Sequence, residues 1–128
     1  MTPSSLPSYG VSGDPSPIQR EHSWVIWENG EISGTIFLGV VPETRAAELA
    51  CLLAPHAWGR GIALEAARAV VQHAFAQLPV DTIWASAHPG NVRSLRTMQK
   101  LGMVQVGIEP VRYELSRDAW ARARDAWE

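Results

Sequence analysis

The sequence predicts an α+β fold of the α/β sandwich type, in which helices flank a mixed, mostly antiparallel, twisted sheet. A strong hairpin signal, Asn29-Gly30, lies between two runs of β-branched and aromatic residues. Apolar residues then recur at helical spacing from residue 62 to 78. The predicted elements follow the order β-β-β-α-β-α-β-β-α, without an internal repeat. At 128 residues, we expect one domain with a hydrophobic core.

The first 22 residues differ from the rest in composition. They are rich in Pro, Ser and Gly, with scattered apolar residues. Such a segment buries too little surface to offset its ordering entropy. We therefore expect residues 1–22 to be flexible or loosely docked, and residues 23–128 to form the single domain.

Three strands are predicted before the first helix. SWVIWE and EISGTIFLGVV form the hairpin around Asn29-Gly30. The third run, AELACLLA at 47–54, is continuously apolar, which predicts a strand buried on both faces. Cys51 lies in this strand and is expected to be a buried, inert thiol.

The remaining elements follow from periodicity and from breakers. The 62–78 helix ends at Pro79, and DTIWASAH at 81–88 is the next strand. Asn91 is well placed to cap a helix over 91–101, with Gly102 as its terminator. MVQVGIE and VRYELS predict two more strands, and the C-terminal helix carries Trp120 and Trp127 on one stripe.

Composition and charge exclude several classes of function. The net charge of −2 gives no basic footprint for nucleic acid, and no apolar run approaches the roughly 20 residues that span a bilayer. A single cysteine excludes a disulfide framework and, with no secretory signal visible, favours the cytoplasm. The four histidines show no metal-ligand spacing, so no metal site is expected.

The stretch HAWGRGIALEAARAV at 56–70 places Gly59 and Gly61 between a strand and a helix N-terminus. Helix N-termini carry amides without internal partners, and glycines allow a ligand to approach the backbone. The pattern therefore indicates an anion site, commonly one for phosphate. The alternative is that the two glycines only form a tight strand-to-helix turn.

Two nucleotide-binding motifs fail on this stretch. A Walker loop requires Gly-x-x-x-x-Gly-Lys-Ser/Thr, which the chain does not contain. The dinucleotide fingerprint requires a third glycine where Leu64 stands, and Asp81 precedes its strand rather than ending it.

The segment His56-Ala57-Trp58-Gly59-Arg60-Gly61 resembles the Gln/Arg-x-x-Gly-x-Gly/Ala signature of the GNAT superfamily of acyl-CoA N-acyltransferases. Asn91-Val92-Arg93-Ser94 and Lys100-Leu101-Gly102-Met103 resemble its second conserved block. The sequence Trp-Gly-Arg-Gly-Ile-Ala-Leu-Glu-Ala, together with Asn-x-x-Ser, is most similar to the branch containing the ribosomal-protein N-terminal acetyltransferases. The resemblance covers about residues 24–115 and implies an acyl-CoA N-acyltransferase-like fold.

The resemblance implies that loop amides hold the pyrophosphate of acetyl-CoA, with added charge from the Arg60 side chain. The residues implied are Ala57, Trp58, Gly59, Arg60, Gly61, Ile62 and Ala63. The main chain of Leu52, Leu53 and Ala54 would contact the pantetheine arm, and the strand would separate there from DTIWASAH to admit the thioester. Asn91 would contact the cofactor, cap its helix, or do both. His56 departs from the family's Gln or Arg.

Acetyl transfer by direct attack requires a base for the ammonium group and an acid for the leaving thiolate. The resemblance implies Glu48 as the base, with an exposed structural glutamate or an activated water as alternatives; Glu28 and Glu43 are poorer candidates. Met98 stands where many members have a tyrosine acid, so Ser94 is the implied acid, against an ordinary first-turn serine.

The resemblance predicts an N-acetyltransferase that acts on a protein N-terminus or a small-molecule amine. The first recognisable strand corresponds to the family's second, so the usual first strand and helices are expected to be lacking. An acyl-CoA-binding or partner-pairing protein without turnover is the alternative, and a ligand-free α/β module is a third. Uncovered apolar surface would favour a homodimer, in which Trp120 and Trp127 contact the partner or dock on their own sheet.

Overall fold

The computed structural model describes residues 2–3 and 20–127. Its strands are β1 (Thr2–Pro3), β2 (Arg20–Glu28), β3 (Glu31–Val41), β4 (Ala46–Leu53), β5 (Thr82–Ala87), β6 (Val104–Ile108) and β7 (Val111–Ser116). Its helices are α1 (Ile62–Gln77), α2 (Val92–Lys100) and α3 (Arg117–Ala123), with short 3-10 helices at Pro55–Ala57 and Arg124–Trp127. None of these helices is long and apolar enough to cross a membrane.

The strands form one sheet in the order β1-β2-β3-β4-β5-β7-β6. Among the described strands, only β4 and β5 pair in parallel, and α1 makes the crossover between them; the other neighbouring pairs are antiparallel. The predicted mixed, mostly antiparallel sheet is therefore confirmed.

The β2–β3 hairpin turns where the sequence predicts it. Asn29 and Gly30 both have positive φ values, 49° and 82°, as a type I′ turn requires. β2 begins at Arg20, three residues before the predicted Ser23, and the two-residue β1 pairs with it along the edge of the sheet, which the sequence did not predict. The rest of the predicted N-terminal segment lies outside the described residues.

The hydrophobic core lies on one face of the sheet, under α1, α2 and α3. Alternate strand residues such as Leu38, Ile83 and Leu115 point into it, as the period of a strand requires. From α1 the buried residues are Ala66, Ala67, Val70, Val71, Ala74 and Phe75. Five of these six are alanine or valine, and these small side chains let the helix lie close to the sheet.

The prediction that β4 is buried on both faces is wrong, since Ala46 and Glu48, which point away from the core, are only half-buried. Ala47 and Leu49 are buried, but Cys51 is exposed and Leu52 is 74% exposed. β5 also stops pairing with β4 after Glu48, so among the described residues the rest of β4 has no paired strand on that side. Although Cys51 is exposed, desolvation by its surroundings raises the pKa of the thiol to about 11, so the thiol is protonated at neutral pH.

The C-terminal stripe docks on its own domain. Trp120 is buried and stacks on Phe75 with ring centroids 5.1 Å apart. Trp127 packs against the same core, and the Arg68 guanidinium lies 5.7 Å from its ring centre. Both tryptophans therefore pack against their own domain, which is one of the two predicted uses of this stripe.

Candidate functional site

A cleft opens between β4 and β5. The two parallel strands pair at only three positions, of which Glu48 with Trp84 is the last. Beyond it, β4 continues to Leu53 and stays paired with β3, while β5 continues to Ala87 and stays paired with β7. The predicted separation of the two strands is therefore present, and we call the space between them the cleft.

The N-terminus of α1 follows directly on the loop that leaves β4. Its N-cap is Gly61, and no side chain in the described part of the chain caps the helix. The first intrahelical bond is from the Glu65 amide to the Gly61 carbonyl, at 3.1 Å. The amides of Ile62, Ala63 and Leu64 thus lack an intrahelical acceptor, at the positive end of the helix dipole. This terminus can receive an anion.

The two glycines of the loop adopt left-handed conformations. The φ values of Gly59 and Gly61 are 76° and 74°. This conformation alone explains why glycine is used in the turn. In addition, apart from its chain neighbours, a Cβ atom built on either residue would meet no atom of the described residues within 4 Å. The loop backbone therefore faces open space, as close approach by a ligand requires.

Trp58 joins the two sides of the cleft. Its indole N–H donates to the carbonyl oxygen of Leu53 at 3.1 Å, at the end of β4. The guanidinium of Arg93, in the first turn of α2, lies 4.7 Å from the centre of the indole ring. Arg93 is a cation beside the glycine loop that the sequence did not single out, because only the fold brings α2 to this loop.

Arg60 is held by a carboxylate rather than left open for phosphate. Its guanidinium donates to both carboxylate oxygens of Glu28, at 2.7 and 3.2 Å. The hydroxyl of the fully buried Ser33 donates to the same carboxylate at 2.9 Å. The hydrogen bonds from Ser33 and then Arg60 lower the pKa of Glu28, which remains ionised at neutral pH. Glu28 thus binds the glycine loop through Arg60.

Part of the backbone expected to contact the pantetheine arm is also engaged. The Ala54 amide donates to the carbonyl of Ser33 at 2.8 Å, and the Leu53 carbonyl accepts from Trp58. Leu52 presents its exposed side chain beside the cleft. Ala57 is fully buried, so its side chain packs the loop onto the protein.

The two candidate catalytic residues lie on elements that form opposite sides of the cleft. Glu48 is half-buried on β4, at the position where the strands separate. Ser94 is half-buried in the first turn of α2, which follows β5. Its amide donates to the Asn91 Oδ1 atom at 3.2 Å, so the predicted Asn91 cap is confirmed. Within residues 2–3 and 20–127, no group of three or more His, Cys, Asp and Glu side chains could hold a metal ion.

A family model described as "Acetyltransferase (GNAT) domain" matches residues 14–104 of the chain. The FsC-acetyl coenzyme A-N(2)-transacetylase of Aspergillus fumigatus is 30% identical, over 78% of this chain and 52% of that protein. The chain spans about half the length of the curated relatives that it matches first.

Solved structures share the fold. One described as a "probable acetyltransferase" superposes with a TM-score of 0.74 at 23% identity, covering 80% of this chain and 65% of that one. A spermidine N-acetyltransferase variant from Vibrio cholerae gives 0.71 at 18% identity, covering 78% and 68%. At these identities the likeness concerns the fold alone.

Proposed function

We propose that this chain, which belongs to the GNAT acetyltransferase family, transfers an acetyl group from acetyl-CoA to a primary amine. The observation that carries the proposal is the opening of the sheet after Glu48 and Trp84, next to the uncapped N-terminus of α1. An extended pantetheine arm fits beside an unpaired strand edge, and a pyrophosphate fits at a helix N-terminus whose loop faces open space.

In the proposed reaction, the amine nitrogen attacks the thioester carbon and the carbon–sulfur bond breaks. Glu48, or a water that it activates, takes the proton lost by the ammonium group. The Ser94 hydroxyl passes a proton to the leaving thiolate and takes a replacement proton from water. No enzyme nucleophile is needed, which is consistent with a Cys51 thiol whose raised pKa keeps it protonated.

The loop amides supply the binding energy for the phosphates. The amides of Ile62, Ala63 and Leu64 converge on one end of α1, where the helix dipole adds to their attraction for an anion. Arg93 is the cation that we add to this group, since Arg60 is paired with Glu28. Asn91 contributes by fixing the start of α2, whether or not it also touches acetyl-CoA.

The acceptor is proposed only as a class, a small-molecule amine or a protein N-terminus. The ribosomal-protein branch that the motifs resemble favours a protein N-terminus. The solved neighbours named for spermidine favour a small amine. Both acceptors present the same nucleophile, an amine that must lose a proton before attack.

Two measurements test the proposal. Calorimetric titration with acetyl-CoA should give saturable binding, and release of free thiol should accelerate with at least one amine of a panel of small amines and peptide N-termini. Binding without thiol release would favour the alternative of an acyl-CoA-binding protein without turnover. A folded protein that binds no acetyl-CoA would overturn both.

We also propose that the chain forms a homodimer and is located in the cytoplasm. The edge strand β6 exposes three apolar side chains, Val104, Val106 and Ile108, each more than half accessible. Edge strands of this kind commonly pair with another chain. Sedimentation at micromolar concentration should show a dimer, and the Val106→Lys variant should sediment as a monomer; a monomeric wild type would contradict this part.

A further inference from the structure

The strongest polar contact of the glycine loop joins it to the β2–β3 hairpin, through Arg60 and Glu28. We propose that Glu28 is a positioning residue: by holding Arg60, it fixes the loop backbone in the conformation that presents its amides to the phosphates of acetyl-CoA. This inference rests on the proposed function and assigns to Arg60 a role other than that of a phosphate ligand.

The contact is built from the hairpin outward. Ser33 is fully buried and donates its hydroxyl to Oε1 of Glu28, which sets the orientation of the carboxylate. Glu28 then receives two parallel N–H groups of Arg60, the geometry in which a guanidinium binds a carboxylate with the greatest specificity. A further N–H of Arg60 points to the His56 carbonyl at 3.4 Å, within the loop itself.

The loop needs such an anchor at this position. Arg60 stands between two glycines, and across residues 2–3 and 20–127 no atom beyond their chain neighbours comes within 4 Å of a Cβ built on either glycine. Glycines have more conformational freedom to lose than any other residue. The start of the loop is fixed through Ala54 and Ser33, and its middle through Trp58 and Leu53. The last stretch before α1 is held by the Arg60–Glu28 pair.

An anchored loop binds more tightly because its ordering is complete before the ligand arrives. The alternative is that Arg60 swings away from Glu28 to contact phosphate. In that case Glu28 competes with the ligand, and its removal strengthens binding. The two roles therefore predict opposite signs for one substitution, Glu28→Ala.

The experiment measures the affinity of CoA by calorimetry for wild type, Glu28→Ala, Arg60→Ala and the double variant. We expect each single variant to lose affinity by about three- to tenfold. The double variant should bind no more weakly than the more affected of the two single variants, because both substitutions remove the same contact. Glu31→Ala is the matched control, an exposed glutamate of the same hairpin whose removal should leave affinity unchanged.

A second readout separates positioning from general stability. Glu28→Ala should raise the KM for acetyl-CoA and leave kcat unchanged, and Glu28→Asp should recover part of the affinity. Glu28→Gln, which keeps the shape and an acceptor oxygen, replaces Glu28→Ala if the latter does not fold. Higher or unchanged affinity in the Glu28 variants would overturn the inference alone. Wild-type protein that binds no CoA would overturn the proposed function as well.

Discussion

Glu48 of β4 and Trp84 of β5 form the last paired position between these two parallel strands. Beyond this pair, β4 stays paired with β3 and β5 stays paired with β7, but β4 and β5 no longer pair with each other. Their two unpaired edges therefore line the cleft. The candidate base thus stands where the cleft begins. Its position follows from strand register rather than from any local motif.

Glu48→Gln removes the proposed base at this junction. We expect kcat to fall by about 10²- to 10⁴-fold, the range for loss of general base catalysis, with CoA affinity unchanged. Steady-state kinetics and calorimetry on the same preparation measure the two effects. Glu31→Gln, at an exposed glutamate of the β2–β3 hairpin, is the control and should keep its kcat. An unchanged kcat in Glu48→Gln would transfer the role of base to another group.

Gly61→Val places a side chain on the N-cap of α1. The variant should lose at least about tenfold in CoA affinity, since losing one hydrogen bond to a charged group costs about 1.5–3 kcal/mol. It should also lose some stability, because φ is 74° and valine is strained there. Gly102→Ala shares the positive φ, 91°, and should lower the melting temperature while keeping its affinity for CoA. Equal affinity in Gly61→Val would favour the simple turn.

Arg93→Ala tests the cation that lies over Trp58. We expect CoA affinity to fall by about three- to tenfold at low salt, and the difference from wild type to shrink as salt screens the charge. Arg96→Ala, an exposed arginine on the same helix, is the control and should behave as wild type. A loss equal in both variants would show only a general effect of charge.

The elements of the fold follow from local signals, so most of them could be predicted. Asn29-Gly30, the apolar face of α1 and the Asn91 cap each act within a few residues of the chain. The exposure of Cys51 could not be predicted in this way. It depends on where β5 stops pairing with β4, and a continuous apolar run does not indicate where the pairing with its neighbouring strand ends.

In the candidate site too, local features could be predicted from the sequence and tertiary contacts could not. The two glycines and their left-handed conformations are a local property of the loop. The partner of Arg60 is Glu28, which lies 32 residues earlier in the chain, and the partner of Trp58 is Arg93 from a different helix. Side-chain pairs of this kind arise from tertiary packing, so the sequence assigned Arg60 to phosphate and passed over Arg93.

The pH dependence of stability should report on Asp81. Its carboxylate accepts two hydrogen bonds from Arg45, at 2.7 and 3.2 Å, and lies 3.6 Å from Arg117. Arg45 first, and Arg117 after it, lower the pKa of Asp81 in the folded chain. The stabilisation is therefore complete above the ordinary aspartate pKa of about 3.9 and is lost as the pH falls through the lower folded value.

Thermal melts of wild type and Asp81→Asn between neutral pH and about pH 3 measure this contribution. The wild type should be the more stable near neutrality, and the two melting temperatures should converge in acid. Asp118→Asn, at the start of α3, provides the control and should follow the wild-type profile. Parallel curves for wild type and Asp81→Asn would mean that the ion pairs contribute nothing that titrates.

Ser94→Ala separates chemistry from binding. The α2 cap uses the amide of Ser94 and the side chain of Asn91, so alanine at 94 leaves the cap intact. CoA affinity and melting temperature should therefore stay close to wild type, while kcat falls because the leaving thiolate loses its proton donor. Asn91→Ala is the matched comparison: it removes the cap and should lower stability by about 0.5–2 kcal/mol. A Ser94→Ala variant with undiminished kcat would leave the thiolate to be protonated by water and reduce Ser94 to a first-turn serine of α2.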